Sequence, residues 1–190
     1  MRPRNNAGLR HLFGVFFLLC LFSVGVYAET SIAILDFELN DVTLAPRIPA
    51  EIARTAGIKA MLEGELKRAG YKIISVDLNT QHEANGGFGY LFDHDDIAAE
   101  LAKKVGANYI LVGRLHKPSF LFAYIMGHLV RTNDGYLMGN YISETKGGDK
   151  KLTLKGVESL AVKIDNDLDK IYLPPPPSKK IGLSDSSERQ

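Results

Sequence analysis

Residues 96–113 read Asp96-Ile97-Ala98-Ala99-Glu100-Leu101-Ala102-Lys103-Lys104-Val105-Gly106-Ala107-Asn108-Tyr109-Ile110-Leu111-Val112-Gly113. Ile97, Leu101 and Val105 share one helical face, and Gly106 is placed to stop the helix in a left-handed turn. Asp93 or Asp95 stands where an N-cap belongs. From Asn108 to Leu115 the chain is almost wholly apolar, as in a strand buried on both faces. A helix feeding such a strand is the second half of a β-α-β unit, whose right-handed crossover makes the flanking strands parallel.

Toward the N-terminus the same grammar repeats. Ser31 to Leu39 is a buried-strand run, and Asn40 to Pro49 is a loop with turn residues and prolines. Ala50 to Ala69 is a helix with Ile52, Ile58, Met61, Leu62, Leu66 and Ala69 at helical spacing, ended by Gly70. Tyr71 to Val76 is a second strand. Asp77 to Phe92 is polar, carries Gly86, Gly87 and Gly89, and reads as a mobile surface loop. Toward the C-terminus, Phe120 to Arg131 and Tyr136 to Glu144 form a hairpin turned at Asn133-Asp134-Gly135. Gly147 to Lys151 is a polar break before a final helix, Thr153 to Tyr172, with Val157, Leu160, Ala161, Ile164, Leu168 and Ile171 on one stripe. The order β-α-β-α-β-β-β-α predicts one α/β (mixed α+β) domain in two or three layers. Its five-stranded mixed sheet has three parallel strands followed by an antiparallel pair.

The ends of the chain are of a different kind. Arg2, Arg4 and Arg10 precede an apolar stretch from Leu12 to Val26, and Val26-Tyr27-Ala28 ends in a small residue. These are the three parts of a secretory signal, with cleavage expected between Ala28 and Glu29. The apolar run of about 15 residues is short of the ~20 that span a bilayer. A retained anchor is the alternative reading. Cys20 lies inside the apolar run, preceded by Leu18 and Leu19, and does not fit a lipid-acceptor site. Domain boundaries follow: a signal over residues 1–28, an α/β domain over 29–172, and a tail over 173–190. That tail opens on Pro174 to Pro177 and ends charged and small-residue-rich, with the composition of a disordered segment.

Cleavage removes three of the 23 basic residues and no acid, which leaves 20 against 22 acidic residues. Such balance disfavours nucleic acid or an anionic membrane as the main partner, and no stable membrane insertion is expected after cleavage. The domain keeps no cysteine, so disulfides and thiol chemistry are excluded. The oligomeric state stays open.

The strand Ile32-Ala33-Ile34-Leu35-Asp36-Phe37-Glu38-Leu39 just after the signal, together with residues 96–113, resembles a known domain. It is that of the TolB N-terminal region, the curli secretion lipoprotein CsgG and the penicillin-binding-protein activator lipoproteins. More narrowly, the chain is similar to an uncharacterised exported bacterial family of domains of unknown function. The likeness spans most of residues 31–172. It implies a Gram-negative periplasm and a non-catalytic binding or adaptor role toward another envelope protein. The chain lacks a lipid-acceptor cysteine and TolB's propeller, which argues against a channel or an anchored activator. The alternative is a metal-binding or enzymatic accessory of a periplasmic oxidation system, such as a quinoprotein dehydrogenase.

Candidate chemistry is thin. Asp36, Glu38 and Asp41 cluster, with Asn40, where the first strand ends, the usual place for ligands in open α/β sheets. His94-Asp95 has the form of a metal-binding pair, but the acids beside it fit a helix start better. His82, His94 and His116 could meet on one edge through strand-end loops, whereas His128 lies within a strand. No pair has zinc-ligand spacing. Gly86-Gly87-Phe88-Gly89 lacks the lysine of a phosphate loop. The hairpin is unusually aromatic (Phe120, Phe122, Tyr124, Met126, Tyr136, Met138, Tyr141), and the alternating set Leu121, Ala123, Ile125 and Leu129 is apolar as well. Either helices cover both faces, or one face is a docking surface, with Tyr136 to Glu144 as an outermost strand open to a partner. No catalytic residue, metal or cofactor is assigned. Asp36, Asn40, Asp41, His94, His116, Tyr124, Tyr136 and Tyr141 are the candidate partner-binding residues.

Overall fold

The computed structural model describes residues 29–172; the signal segment with Ala28 and the tail over 173–190 lie outside the described residues. Six strands and five helices follow in the order β1 (Ser31–Ile34), β2 (Glu38–Asp41), α1 (Pro49–Arg68), β3 (Lys72–Ile74), α2 (Leu78–Ala84), α3 (Tyr90–Asp93), α4 (Asp95–Val105), β4 (Tyr109–Lys117), β5 (Phe122–Arg131), β6 (Leu137–Lys146) and α5 (Lys150–Tyr172). The sheet runs β3-β1-β4-β5-β6, with β2 also on β4. The pairs β1–β3, β1–β4 and β2–β4 are parallel, and β4–β5 and β5–β6 antiparallel. The expected mixed α/β sheet is present.

The first strand differs from expectation, because it is two strands. Ile34 pairs with Leu111, yet Glu38 pairs with Arg114, so the first chain spends one residue more than its partner. The cause is Gln81 on α2. Its amide donates to the carbonyl of Asp36 at 3.1 Å, and its oxygen accepts the Asp36 N–H at 2.9 Å. With those peptide groups diverted, the ladder breaks and restarts as a sixth strand.

The expected loop over 77–92 also corrects to structure. Asp77 caps α2 by accepting from the Thr80 amide and hydroxyl, and Leu91 and Phe92 of α3 are buried. Elements of seven and four residues are too short to show a periodic stripe. The cap of α4 is likewise neither Asp93 nor Asp95. His94 holds that position without a side-chain bond, and Asp95 and Asp96 lie in the first turn, where acids offset the helix dipole. Gly106 does end α4, at φ 75°. Gly106→Ala is expected to cost about 1 kcal/mol, read by chemical denaturation.

Alternation along the strands sends Ile32, Ile34, Leu111, Leu115, Ile125 and Leu129 to one face, under α1 and α5. Ala33, Leu35, Ile110, Val112 and Val130 go to the other, under α2, α3 and α4. The domain is therefore three-layered, and each fully buried Leu or Ile contributes about 2 kcal/mol or more of transfer free energy. Cover is unequal. α5 lies over β5 and β6 on the first face, through Val157, Leu160, Ala161 and Ile164. On the second face the helices cover β4, the end of β5 at His128 and Val130, and the first residue of β6, Leu137, and leave the start of β5 and the rest of β6 half open.

Candidate functional site

What the helices leave open is set by register. Asn40 pairs with His116, His116 with Tyr124, and Tyr124 with Glu144, which aligns four side chains across β2, β4, β5 and β6 on one face. Two residues along, Glu38, Arg114, Met126 and Ile142 form a second row on that face, because side chains two apart share a side. Phe122, Tyr124, Met126 and His128 are half-buried, and Ile142 is 48% exposed. Of the two readings of the aromatic hairpin, the structure has one face sheathed by α5 and one face half open.

The polar groups of the open face are held firmly. His116 stacks on Tyr124 with centroids 6.4 Å apart, and Tyr124 meets Phe122 edge-on at 5.7 Å. Arg114 lies over the rings of Phe92 (4.4 Å) and Phe88 (5.3 Å), with Glu38 3.8 Å away. Glu38 also accepts the Gly89 amide at 2.8 Å. Such packing favours Arg over Lys, because the planar guanidinium stacks. His128 stacks on Phe92 at 3.8 Å and faces Asp95, also at 3.8 Å, too far for a hydrogen bond.

Burial holds the His128 imidazole below its ordinary value, while Asp95 pulls it upward. Burial in turn raises the Asp95 carboxyl. With the folded value depressed, acidification protonates the unfolded chain first. Stability should therefore decline as pH falls below about 6.5 toward the folded value. Asp95→Asn removes the upward pull, so His128 should titrate lower still by NMR. An upward shift would contradict the pairing.

The remaining candidate residues do not gather at one point. Asp36 is bound to Lys59 at 2.9 Å and lines a groove of about 430 Å³ with Phe37, Leu39, Ile52, Leu78 and Phe88. That groove has no histidine in its lining. His94 Nδ1 donates to the Tyr90 carbonyl (2.8 Å), and its ring stacks on Tyr90 at 4.2 Å. His82 is exposed in the last turn of α2. Among the described residues no group of three or more His, Cys, Asp or Glu could hold a metal ion. Tyr136 is exposed in the hairpin turn, beneath the Arg131 guanidinium. Tyr141 points the other way, buried under α5. Its burial and the neighbouring Asp167 carboxylate push the phenol pKa up, so its ring belongs to the core and not to the open face.

Asp41 is wholly buried and structural in its contacts. Its carboxylate accepts from the amide and hydroxyl of Thr43 and the amide of Arg47, and it faces Lys117 at 3.5 Å. Burial alone would raise its pKa, but those hydrogen bonds and Lys117 outweigh it and hold the carboxyl below the ordinary value. Lys117 also meets Glu51 (3.4 Å), and Arg54 bonds Glu51, Thr145 and Thr153. Sequence reading missed this network and the Arg114 stack. One signal was available: Lys117 is in phase with buried Leu115 along β4, and a charge at an inward position requires a buried partner.

The fold and this face together define a class: a three-layer α/β domain whose mixed sheet is left half open on one side. The chain belongs to the family described as protein of unknown function (DUF2380), matched over residues 30–164. No curated protein matches it. Among solved structures it is similar to the hypothetical protein CT253 from Chlamydia trachomatis (TM-score 0.52, 10% identity, 75% of this chain and 99% of that one). It is also similar to TolB from Acinetobacter baumannii (0.47, 15%, 75% and 29%). A third is the LpoB C-terminal domain from Salmonella enterica (0.43, 15%, 67% and 90%). The membership in a family of domains of unknown function, expected from residues 32–39 and 96–113, is thus shown, and the expected likeness to TolB and to the LpoB activator is found.

Proposed function

We propose that this protein is an exported, non-catalytic adaptor of the cell envelope. After cleavage between Ala28 and Glu29, the domain over 29–172 works in the periplasm and binds another envelope protein through the open sheet face. One observation carries this reading: the row Asn40, His116, Tyr124 and Glu144, with Met126 and Ile142 beside it, lies on one sheet face, is partly apolar and is left half open by the helices. Aromatic and arginine side chains fixed on a rigid sheet are what protein interfaces favour at their centres. The edge of β6 is partly closed, because Lys163 of α5 donates to the outward carbonyl of Ile142 at 2.5 Å. Edge lysines of this kind discourage strand addition, so the face is favoured over the edge. The accessory-enzyme reading draws on Asp36, Asp41, His82, His94 and His116, which the fold holds apart.

The test is site-specific photo-crosslinking in exporting cells. A crosslinker at Tyr124 or Ile142 should give one defined protein adduct. A crosslinker at Val162, exposed on α5, should not. Tyr124→Glu should abolish the adduct formed from position 142. Adducts that are equal at all three positions would refute the assignment.

A further inference from the structure

The near-neutral charge of the domain hides a local asymmetry at one end. Three loops meet there, at the close of β4 and the starts of α1 and α5. The Val42 amide donates to the Lys117 carbonyl at 3.1 Å, and the Gly147 amide to the Leu121 carbonyl at 2.7 Å. Arg54 joins the first turns of α1 and α5 through Thr153. Each loop displays large apolar side chains. Leu44 is 98% exposed and Leu121 76%, with Val42, Phe120, Ile48 and Leu152 beside them. Six of the twelve exposed large apolar residues among those described therefore crowd one end. Isolated exposed apolar side chains are ordinary, but a convergent group marks an interaction surface.

The loops are built to hold this display. Asp41 clips residues 41–47 from within, and Arg47 sits at φ 59° with its amide on that carboxylate. The charges around the apolar group are unbalanced. Arg47, Lys146, Lys150 and Lys151 are exposed. The acids Asp41 and Glu51 are buried against Lys117 and Arg54, which cancels both pairs. Glu144 and Asp149 are the exposed acids here, and Asp149 is occupied in capping α5 through the amides of Lys151 and Leu152. The positive dipole ends of α1 and α5 point the same way.

Apolar tips ringed by lysines beside two helix N-termini match one kind of surface: acyl chains beneath anionic headgroups. The geometry points to this end as a peripheral docking tip for an anionic phospholipid surface. Leu44, Phe120 and Leu121 enter the headgroup boundary, and Lys146, Lys150 and Lys151 meet the phosphates. This contact is shallow and reversible, and it leaves the open sheet face free to engage a protein.

The test uses the full chain with Cys20→Ser and one new cysteine carrying an environment-sensitive fluorophore, at Leu44 or, as a control, at Val162. Position 162 lies on the outer side of α5, away from the tip, so a bilayer contact made elsewhere along the chain does not mimic the result. With vesicles of three parts phosphatidylcholine to one part phosphatidylglycerol, the probe at 44 should shift to the blue and brighten, and that at 162 should not. Combining Lys146→Glu, Lys150→Glu and Lys151→Glu should weaken the response by about two orders of magnitude, about fivefold or more per cation. Raised salt should weaken it too. A water-like probe at 44 overturns the proposal, as does an equal response to pure phosphatidylcholine. A response at 44 to envelope protein but not to lipid overturns it in favour of a protein partner.

Discussion

Lys117→Met is expected to lower folding stability by about 3–5 kcal/mol at neutral pH, because removing one member of a buried ionic group strands the others. Asp41 is wholly buried and Glu51 nearly so, and both face the Lys117 ammonium. Glu51 keeps Arg54, but Asp41 keeps only Thr43 and the Arg47 amide. The sign with pH follows from Asp41. Its folded pKa is depressed, so in the parent chain it contributes stability above the ordinary carboxylate range, which is lost as pH falls through the folded value. Without Lys117 that pKa rises, and protonation relieves the unpaired charge. The gap between variant and parent, measured by urea denaturation, should narrow between pH 7 and about pH 4. A gap that widens on acidification would show the network to be arranged differently.

Gly113→Ala is expected to cost about 3 kcal/mol, the upper end of the range for overpacking. A Cβ at this position would fall within the ring of Phe37, and there is little room to yield. β4 is hemmed between β2 and β5 at that point, with Glu38 opposite Arg114 on one side and Gly127 opposite Gly113 on the other. Phe37 lies in the three-residue gap between β1 and β2, its ring over the glycine. Phe37→Ala leaves a hole that the new methyl partly fills, so the double variant should be more stable than the two single losses predict, by about 1 kcal/mol or more. Strict additivity in thermal or urea unfolding would mean that the ring and the glycine are not in contact.

These two sites show where sequence reading succeeds and where it stops. Periodicity located α1, α4, β4, the hairpin and α5 because each is long enough for an apolar stripe or an alternation to emerge. It also placed Asn40, His116 and Tyr124 near one another in kind, as strand-end and hairpin residues, without their register. Pairing across strands is a tertiary fact: a shift of one residue would have sent His116 and Tyr124 to opposite faces. The split of the first strand depends on Gln81, which is 45 residues distant from Asp36 and marked by no local pattern. Short α2 was readable only through the Asp77–Thr80 cap, and α3 has no side-chain cap to mark it. Tyr141 shows the limit most clearly, since only α5 determines which side of β6 is core.

Tyr124, Met126 and Ile142 face outward on the hairpin, and the adaptor role requires that a partner in the envelope cover them. Single cysteines at 123, 124, 125, 126, 141 and 142, in a Cys20→Ser background, test it by maleimide reactivity. In the purified chain 124, 126 and 142 should react and 123, 125 and 141 should not. In intact exporting cells the first three should become protected, and Tyr136→Cys in the exposed turn should stay reactive. Equal reactivity of 124, 126 and 142 in cells and in isolation would leave the open face without a partner and contradict the adaptor role.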